Sequence, residues 1–441
     1  MLETLSSDGS ASCSRRACPA PRSAARLALA ARPVVPRRRN QLLAYGHRRA
    51  LTHTGHLLLT GSTGLLGSYL MRDLLLAETP LAVLARRSRR ATAAERIDRL
   101  LAGWERALGR KLPRPVVLEG DLTKPGCGLS SDARRWLVGH CNRLLNNAAS
   151  LSFFNADRAG EPWRTNVAGT HNLLDLTDTA GIRDLEHVST AYVCGVRTDL
   201  ISEDELVVDQ PFGNDYERSK ADAEAAIRAA GHLDSVTVYR PSIIVGDSQT
   251  GYTSTYHGFF AVLRLGHTLL TRVPIGTTSG PALLRLLGIA ATDCKNFVPV
   301  DWVSAVISQA VGRPEAAGQT LHLTHPEPMS MQDMAETVQE ATETYSDAAS
   351  PDDPACCDEA WFADNLKNQL QVYQHYFRND PIFDRTTTEQ VAEHLPVPDL
   401  DRDTMMRMSK FAIAHEFGRQ PVEFPPCEVA SSGVTPVMPP G

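Results

Sequence analysis

Tyr216 and Lys220 stand four residues apart in Asp215-Tyr216-Glu217-Arg218-Ser219-Lys220. On a helix, positions i and i+4 share a face, so this phenol and this ammonium point into one cleft. Free tyrosine titrates near ~10, and a neighbouring ammonium favours phenolate and lowers that value. Such a pair can pass a proton to an oxygen on which charge develops, or hydrogen-bond it. Thr190, in Val188-Ser189-Thr190-Ala191-Tyr192, supplies a second hydroxyl for the same oxygen, with Ser189 as the alternative. Thr190, Tyr216 and Lys220 are therefore the candidate catalytic set, and the chain reads as an enzyme.

Upstream lies the glycine loop Thr60-Gly61-Ser62-Thr63-Gly64-Leu65-Leu66-Gly67. It follows an apolar run and opens a helical stretch, the context in which such a loop holds a dinucleotide. Gly61, Gly64 and Gly67 permit a tight turn and close backbone approach to phosphates. The helix beyond offers free N–H groups and a positive dipole end. Thr60, Thr63, Leu65 and Leu66 belong to the same contact surface. The second strand ends in Leu84-Ala85-Arg86-Arg87, with arginine where a carboxylate would bond a ribose 2′-hydroxyl. Arg86 suits a 2′-phosphate instead, so the expected cofactor is NADPH. Asp121, before Leu122, can accept from an adenine amino group or cap a turn. Asn147, Ala148 and Ala149, after Asn146, end the fourth strand beside the cofactor. Asn166 is expected near a helix start, as a cofactor-side residue weighted toward structural support.

These residues need a scaffold that brings strand ends together. Apolar runs at 56–60, 81–85, 116–119, 144–147, 185–189 and 236–240 read as buried parallel strands. Helical stretches at 64–77, 93–108, 161–180 and 215–230 separate them. The alternation implies an α/β fold with a doubly wound parallel sheet, carrying ligands at the carboxyl edge of its strands. The expected organisation is a disordered basic arm at 1–54, a cofactor-binding domain at 55–250, and a smaller, mostly helical substrate lobe at 251–424. Residues 296–325 return to the first core, and 425–441 form a disordered tail. Further helices are expected at 330–345, 358–377 and 402–416.

The chain has 441 residues, 42% of them apolar and 22% charged, enough for a sizeable core. Its net charge of −6 argues against a general nucleic-acid binder. No apolar run reaches the ~20 residues of a membrane span. Nine scattered cysteines without a Cys-x-x-Cys pair read as reduced thiols in the cytoplasm, and no cluster has zinc spacing. The Arg/Ala-rich start mimics a transit peptide, but the favoured reading is a disordered basic arm or a start placed too early.

With glycine loop, hydroxyl strand and Tyr/Lys helix in this order, residues 55–420 resemble the extended short-chain dehydrogenase/reductases. That resemblance implies a Rossmann-type fold and a Thr–Tyr–Lys triad at Thr190, Tyr216 and Lys220. A narrower resemblance, to the thioester reductase and fatty acyl-CoA reductase branch, rests on Ala148-Ala149-Ser150 with Phe153, on the late run from Tyr373 to Asp384, ending Pro381-Ile382-Phe383-Asp384, and on further segments. These are Arg240-Pro241-Ser242-Ile243-Ile244-Val245-Gly246-Asp247-Ser248-Gln249-Thr250-Gly251, His187 to Val193, and Asn296-Phe297-Val298-Pro299-Val300-Asp301. It adds Pro241, Ser242 and Ile243 to the cofactor site. It implies hydride transfer from NADPH to an acyl thioester of coenzyme A or a carrier protein, giving aldehyde and then, with a second hydride, alcohol. Carrier and adenylation domains are absent from the sequence, so the expected enzyme stands alone. Tyr252, Tyr256 and the segments 258–270 and 281–291 would line an acyl or pantetheine channel, or form ordinary core. The competing readings are another extended dehydrogenase (aldehyde or ketone, hydroxysteroid, sugar-nucleotide epimerase) and a non-catalytic NADP(H) sensor.

Overall fold

The computed structural model describes residues 55–153, 157–270, 284, 289–346, 379–420 and 422–424. The expected arm, the helix at 358–377, the tail and most of 281–291 lie outside them.

Strands β1 (His56–Thr60), β2 (Leu81–Ala85), β3 (Val116–Glu119), β4 (Cys141–Asn146) and β5 (Asp184–Val188) alternate with four helices. These are α1 (Leu65–Leu76), α2 (Ala93–Leu108), α3 (Ser131–His140) and α4 (Gly169–Ala180). Beyond β6 (Leu200–Ile201) come α5 (Asp215–Ala229), β7 (Ser235–Pro241) and β8 (Ile243–Val245). Then follow α6 (Phe259–Leu270), β9 (Cys294–Lys295), β10 (Phe297–Pro299), α7 (Val300–Ala310) and β11 (Thr320–Leu323). The chain continues with β12 (Met329–Ser330), α8 (Met331–Tyr345), β13 (Ile382–Phe383), α9 (Thr386–Val391) and α10 (Arg402–Ala414).

Seven strands form a parallel sheet in the order β11-β7-β5-β4-β1-β2-β3. Strands β1 and β2 are near-continuous apolar runs because helices cover both faces, and Leu57, Leu58 and Leu59 are fully buried. The chain runs outward from β1 to β3, then returns to place β4 on the other side of β1. The reversal opens a crevice at the carboxyl ends of β1 and β4, the usual ligand position in such sheets. A further apolar cluster joins Phe259, Phe260 and Leu263 of α6 to Met331, Met334 and Val338 of α8 and Met405 and Met408 of α10.

Local signals set most boundaries. Thr92 and Glu95 form a reciprocal capping box at the start of α2, and Gly109 ends that helix in the left-handed conformation. Two expectations shift. Strand β4 begins at Cys141 rather than 144, because pairing with β1 carries Arg143 into the sheet despite its charge. Helix α4 begins at Gly169, after a wide turn at Arg164–Ala168 that holds Asn166. Helix α3 has no counterpart in the sequence expectations. It is short and polar, and starts where the Ser130 side chain accepts from the Ala133 N–H at 3.2 Å.

Candidate functional site

The crevice widens into a cleft of about 490 Å³. It is lined by the glycine loop, the ends of β2, β4 and β5, the start of α5 and the segment after β7. Gly61 turns with φ +71°, and a Cβ there would lie 2.7 Å from the Ala148 nitrogen. A Cβ on Gly67 would lie 2.0 Å from the Gly61 carbonyl oxygen, so the loop closes only on glycine. Gly64 differs: its Cβ would meet nothing nearer than 3.6 Å, and the space in front of it belongs to the cleft. No side chain caps α1 at Gly64, and no acidic residue occupies its first turn. The Ser62 hydroxyl is buried in the lining without a hydrogen-bond partner. Such a turn offers N–H groups and a hydroxyl to an anion.

Arg86 lines the adjoining end of the cleft, and the structure adds Arg96, which the sequence reading missed. Arg96 reaches over from α2 to donate to the Arg86 carbonyl and to the Thr63 hydroxyl, the latter at 3.1 Å. Burial, and then the charge of Arg86, lower its pKa. Among the described residues no carboxylate pairs with either guanidinium, which leaves two cations side by side. Asp121 lines the cleft too, while its Oδ1 accepts from Thr123 N–H at 3.1 Å and Thr123 hydroxyl at 2.9 Å in a tight turn. Leu122, Asn147, Ala148, Ala149, Pro241, Ser242 and Ile243 complete this side, along with Leu65 and Leu66. The Ser242 hydroxyl is buried and unpartnered there.

Two expected contacts lie outside the lining. The Thr60 hydroxyl donates to Asn146 Oδ1 at 2.8 Å and accepts from Asn147 and Ala148 N–H, both at 3.1 Å, clasping the end of β4 to β1. Asn166 is 2% exposed and spans from Ser150 to the Ser219 hydroxyl (2.9 Å), bracing the Tyr/Lys helix. Both support the cleft from behind.

Helix α5 starts at Asn214, whose side chain accepts from Glu217 N–H at 2.9 Å while the Glu217 carboxylate accepts from Gly213 N–H at 2.8 Å. This capping sets the first turn and brings Tyr216 and Lys220 into the cleft opposite Ser189 and Thr190. Thr190 is 4% exposed, with its hydroxyl 3.4 Å from the Pro241 carbonyl. Lys220 donates to the Val188 carbonyl at 2.7 Å and lies 3.3 Å from His187 Nε2. Burial pulls its pKa down to about 8, against the upward pull of Glu224. Tyr216 corrects an expectation. Burial and then the charge of Glu217 raise its pKa, rather than Lys220 lowering it, because the lysine nitrogen is turned toward β5. The raised pKa keeps the proton on the phenol.

The opposite wall carries a group with no sequence forewarning. Lys295 and Asp380 form a buried ion pair at 2.7 Å, and Asp380 also accepts from Tyr192 hydroxyl (2.7 Å) and Asn296 N–H (2.8 Å). Of the expected acyl channel, Tyr252, Tyr256 and 258–270 are not in the lining, and most of 281–291 lies outside the described residues. Tyr252 stacks on Phe424 with centroids 4.8 Å apart, and Tyr256 packs edge-on against Phe260 and Phe417, as core. Part of the 240–251 segment is structural as well. Asp247 accepts from Tyr69 hydroxyl at 2.9 Å and from Thr250 N–H at 2.8 Å, pinning its loop to α1.

Comparison with known proteins places this geometry in context. Residues 59–307 match the family described as Male sterility protein. The aldehyde reductase lnaA of Aspergillus flavus is 27% identical over 395 residues, covering 81% of this chain and 36% of that protein. The L-2-aminoadipate reductase large subunit of Penicillium chrysogenum is 27% identical over 300 residues, covering 63% of this chain and 20% of its own length. The chain thus spans well under half of either relative. Among solved structures, the terminal R domain from the myxalamid PKS-NRPS biosynthetic pathway is 26% identical with a TM-score of 0.62. That alignment covers 84% of this chain and 94% of the R domain.

Proposed function

From the premise that the chain belongs to the Male sterility protein family, within the thioester-reductase branch of the extended short-chain dehydrogenase/reductases, we propose that it is an NADPH-dependent reductase of carrier-bound acyl thioesters. The observation that carries this reading is one cleft shared by an anion-ready glycine turn, two arginines that no carboxylate pairs among the described residues, and the Thr190, Tyr216 and Lys220 side chains.

The residues fit a dinucleotide. The open space before Gly64 and the unpartnered Ser62 hydroxyl suit a pyrophosphate. Arg86 and Arg96 suit a 2′-phosphate, and this pair supports NADPH over NADH. When bound, the nicotinamide supplies hydride to the thioester carbonyl carbon. The Tyr216 phenol donates to the carbonyl oxygen as negative charge grows there, and Thr190 adds a second donor. The resulting hemithioacetal collapses to aldehyde and free thiol. Lys220 holds its nitrogen at the floor of the cleft, beside the phenol's helix turn. Relatives named as reductases, and the R-domain likeness, support a thioester substrate.

The test is NADPH consumption with acyl-carrier, acyl-pantetheine, acyl-CoA and free aldehyde substrates, with products identified by mass. Aldehyde release from a thioester is expected. Turnover of aldehydes alone would remove the thioester assignment and leave a simple carbonyl reductase.

A further inference from the structure

Beneath the cleft four buried side chains join in one line. Thr60 is fully buried, His187 is 1% exposed, and Asn146 and Lys220 are each 2% exposed. Their donors and acceptors can be assigned from one end. Two backbone N–H groups, of Asn147 and Ala148, fill the lone pairs of the Thr60 hydroxyl, so its single proton goes to Asn146 at 2.8 Å. The atom it meets must be the amide oxygen. The amide nitrogen then faces His187 Nδ1 at 3.2 Å as a donor. With that amide nitrogen donating, Nδ1 accepts and the proton of the neutral imidazole goes to Nε2, the Asn146 carbonyl being the competing acceptor. Burial first, and the charge of Lys220 second, keep His187 neutral. Nε2–H points at the Lys220 nitrogen, 3.3 Å away, which already donates to the Val188 carbonyl. An ammonium has no lone pair to receive that hydrogen, whereas an amine does.

We infer that His187 is a positioning residue for Lys220: its Nε2–H, fixed in direction from Thr60 through Asn146, favours the amine form of the lysine. The other groups facing this pair are Glu224 and Arg228 on the same helix and the Asn146 peptide on β4. Glu224, which favours the ammonium, is itself bonded to Arg240 on β7. Applied to the proposed reaction, on which this role rests, the wiring defines a proton cycle. Tyr216 gives its proton to the substrate oxygen and becomes phenolate. A Lys220 ammonium that swings from the Val188 carbonyl to the phenolate would return a proton there and become an amine, whose lone pair accepts from His187. One proton from solvent then restores the ammonium.

The test needs no substrate, so it is separable from the identity of the electrophile. Imidazole ¹⁵N shifts of His187 should report the Nε2–H tautomer; the Nδ1–H tautomer would overturn the inference. In lysine-labelled protein, the ¹³Cε resonance lost in Lys220→Arg should titrate below the ordinary lysine range. In His187→Gln, an amide oxygen can face the ammonium, and the midpoint should rise by about one unit. In Thr60→Val, the Asn146 amide is free to turn, His187 can present a lone pair, and the midpoint should rise again with every direct contact of Lys220 kept. A histidine that merely fills space would alter stability or turnover and leave both midpoints unmoved, which would also sink the idea.

Discussion

Helix α5 buries two charges one turn apart and treats them in opposite ways. Glu224 is met by Arg240 at 2.7 and 3.1 Å and by Arg228 at 2.9 Å. Burial would raise its pKa, but the two guanidinium groups more than offset that and hold it low. The network runs on through Arg240 to the Glu203 carbonyl and His322, and so to β11. Among the described residues Lys220 has no carboxylate of its own, only a carbonyl and an imidazole. A buried charge with full partners is architecture, whereas one left short of partners is held in reserve for a ligand or a proton.

The sharpest way to break that contrast is Arg240→Leu. It strips the main partner from a fully buried carboxylate and should cost about 3–5 kcal/mol in urea unfolding. A negligible loss would mean that Glu224 is not the structural charge we take it to be. Lys220→Met should have the opposite sign. It should stabilise the fold by ~1–2 kcal/mol at neutral pH while turnover collapses. The folded-state pKa of about 8 lies below the ordinary lysine value, so the unfolded chain binds the proton more tightly. The penalty in the native protein is therefore complete below pH 8 and fades as pH rises toward ~10.4. Melts at pH 7 and pH 10 should show the variant's advantage shrinking; an equal advantage at both would contradict the assignment. Arg96→Ala tests whether unpaired cations in the cleft also wait for a ligand. NADPH should bind about tenfold more weakly, ~1.4 kcal/mol, with NADH little changed. Equal losses for both would remove Arg96 from the 2′-phosphate. Arg135→Ala marks the lower limit: its pair with Asp132 is solvent-exposed, and the melting temperature should not move.

Much of the fold was legible because parallel strands covered on both faces are written as short apolar runs. The runs at 56–60, 81–85 and 116–119 coincide with β1, β2 and β3. The helical stretch read at 93–108 likewise coincides with α2. Strand β4 was shortened in the reading because Cys141 to Arg143 enter the sheet by pairing rather than by hydrophobicity. The cleft was readable wherever neighbours in sequence do the work, as in the glycine loop and the Tyr216/Lys220 turn. It was opaque where partners come from distant segments. Nothing near Lys295 announces Asp380, and Arg96 looks like any exposed helix arginine until α2 is laid beside Arg86. The Tyr216 expectation shifted for the same reason. Spacing put an ammonium on its helix face, but only the fold shows that nitrogen turned toward Val188.

Strand β11 has a practical consequence for anyone dividing this chain. The family match stops at 307, yet Thr320–Leu323 pairs along β7 and forms one border of the sheet. That border is itself shielded, since Glu203 accepts from the His322 N–H at 3.0 Å and from the Thr388 hydroxyl of α9 at 2.7 Å. A fragment ended at the family boundary would lay bare the hydrogen-bonding side of β7, flanked by buried Val238 and Tyr239. Such an edge is a template for chain-to-chain pairing. A fragment that keeps this edge covered must therefore extend at least through α9, well past the end of the family match.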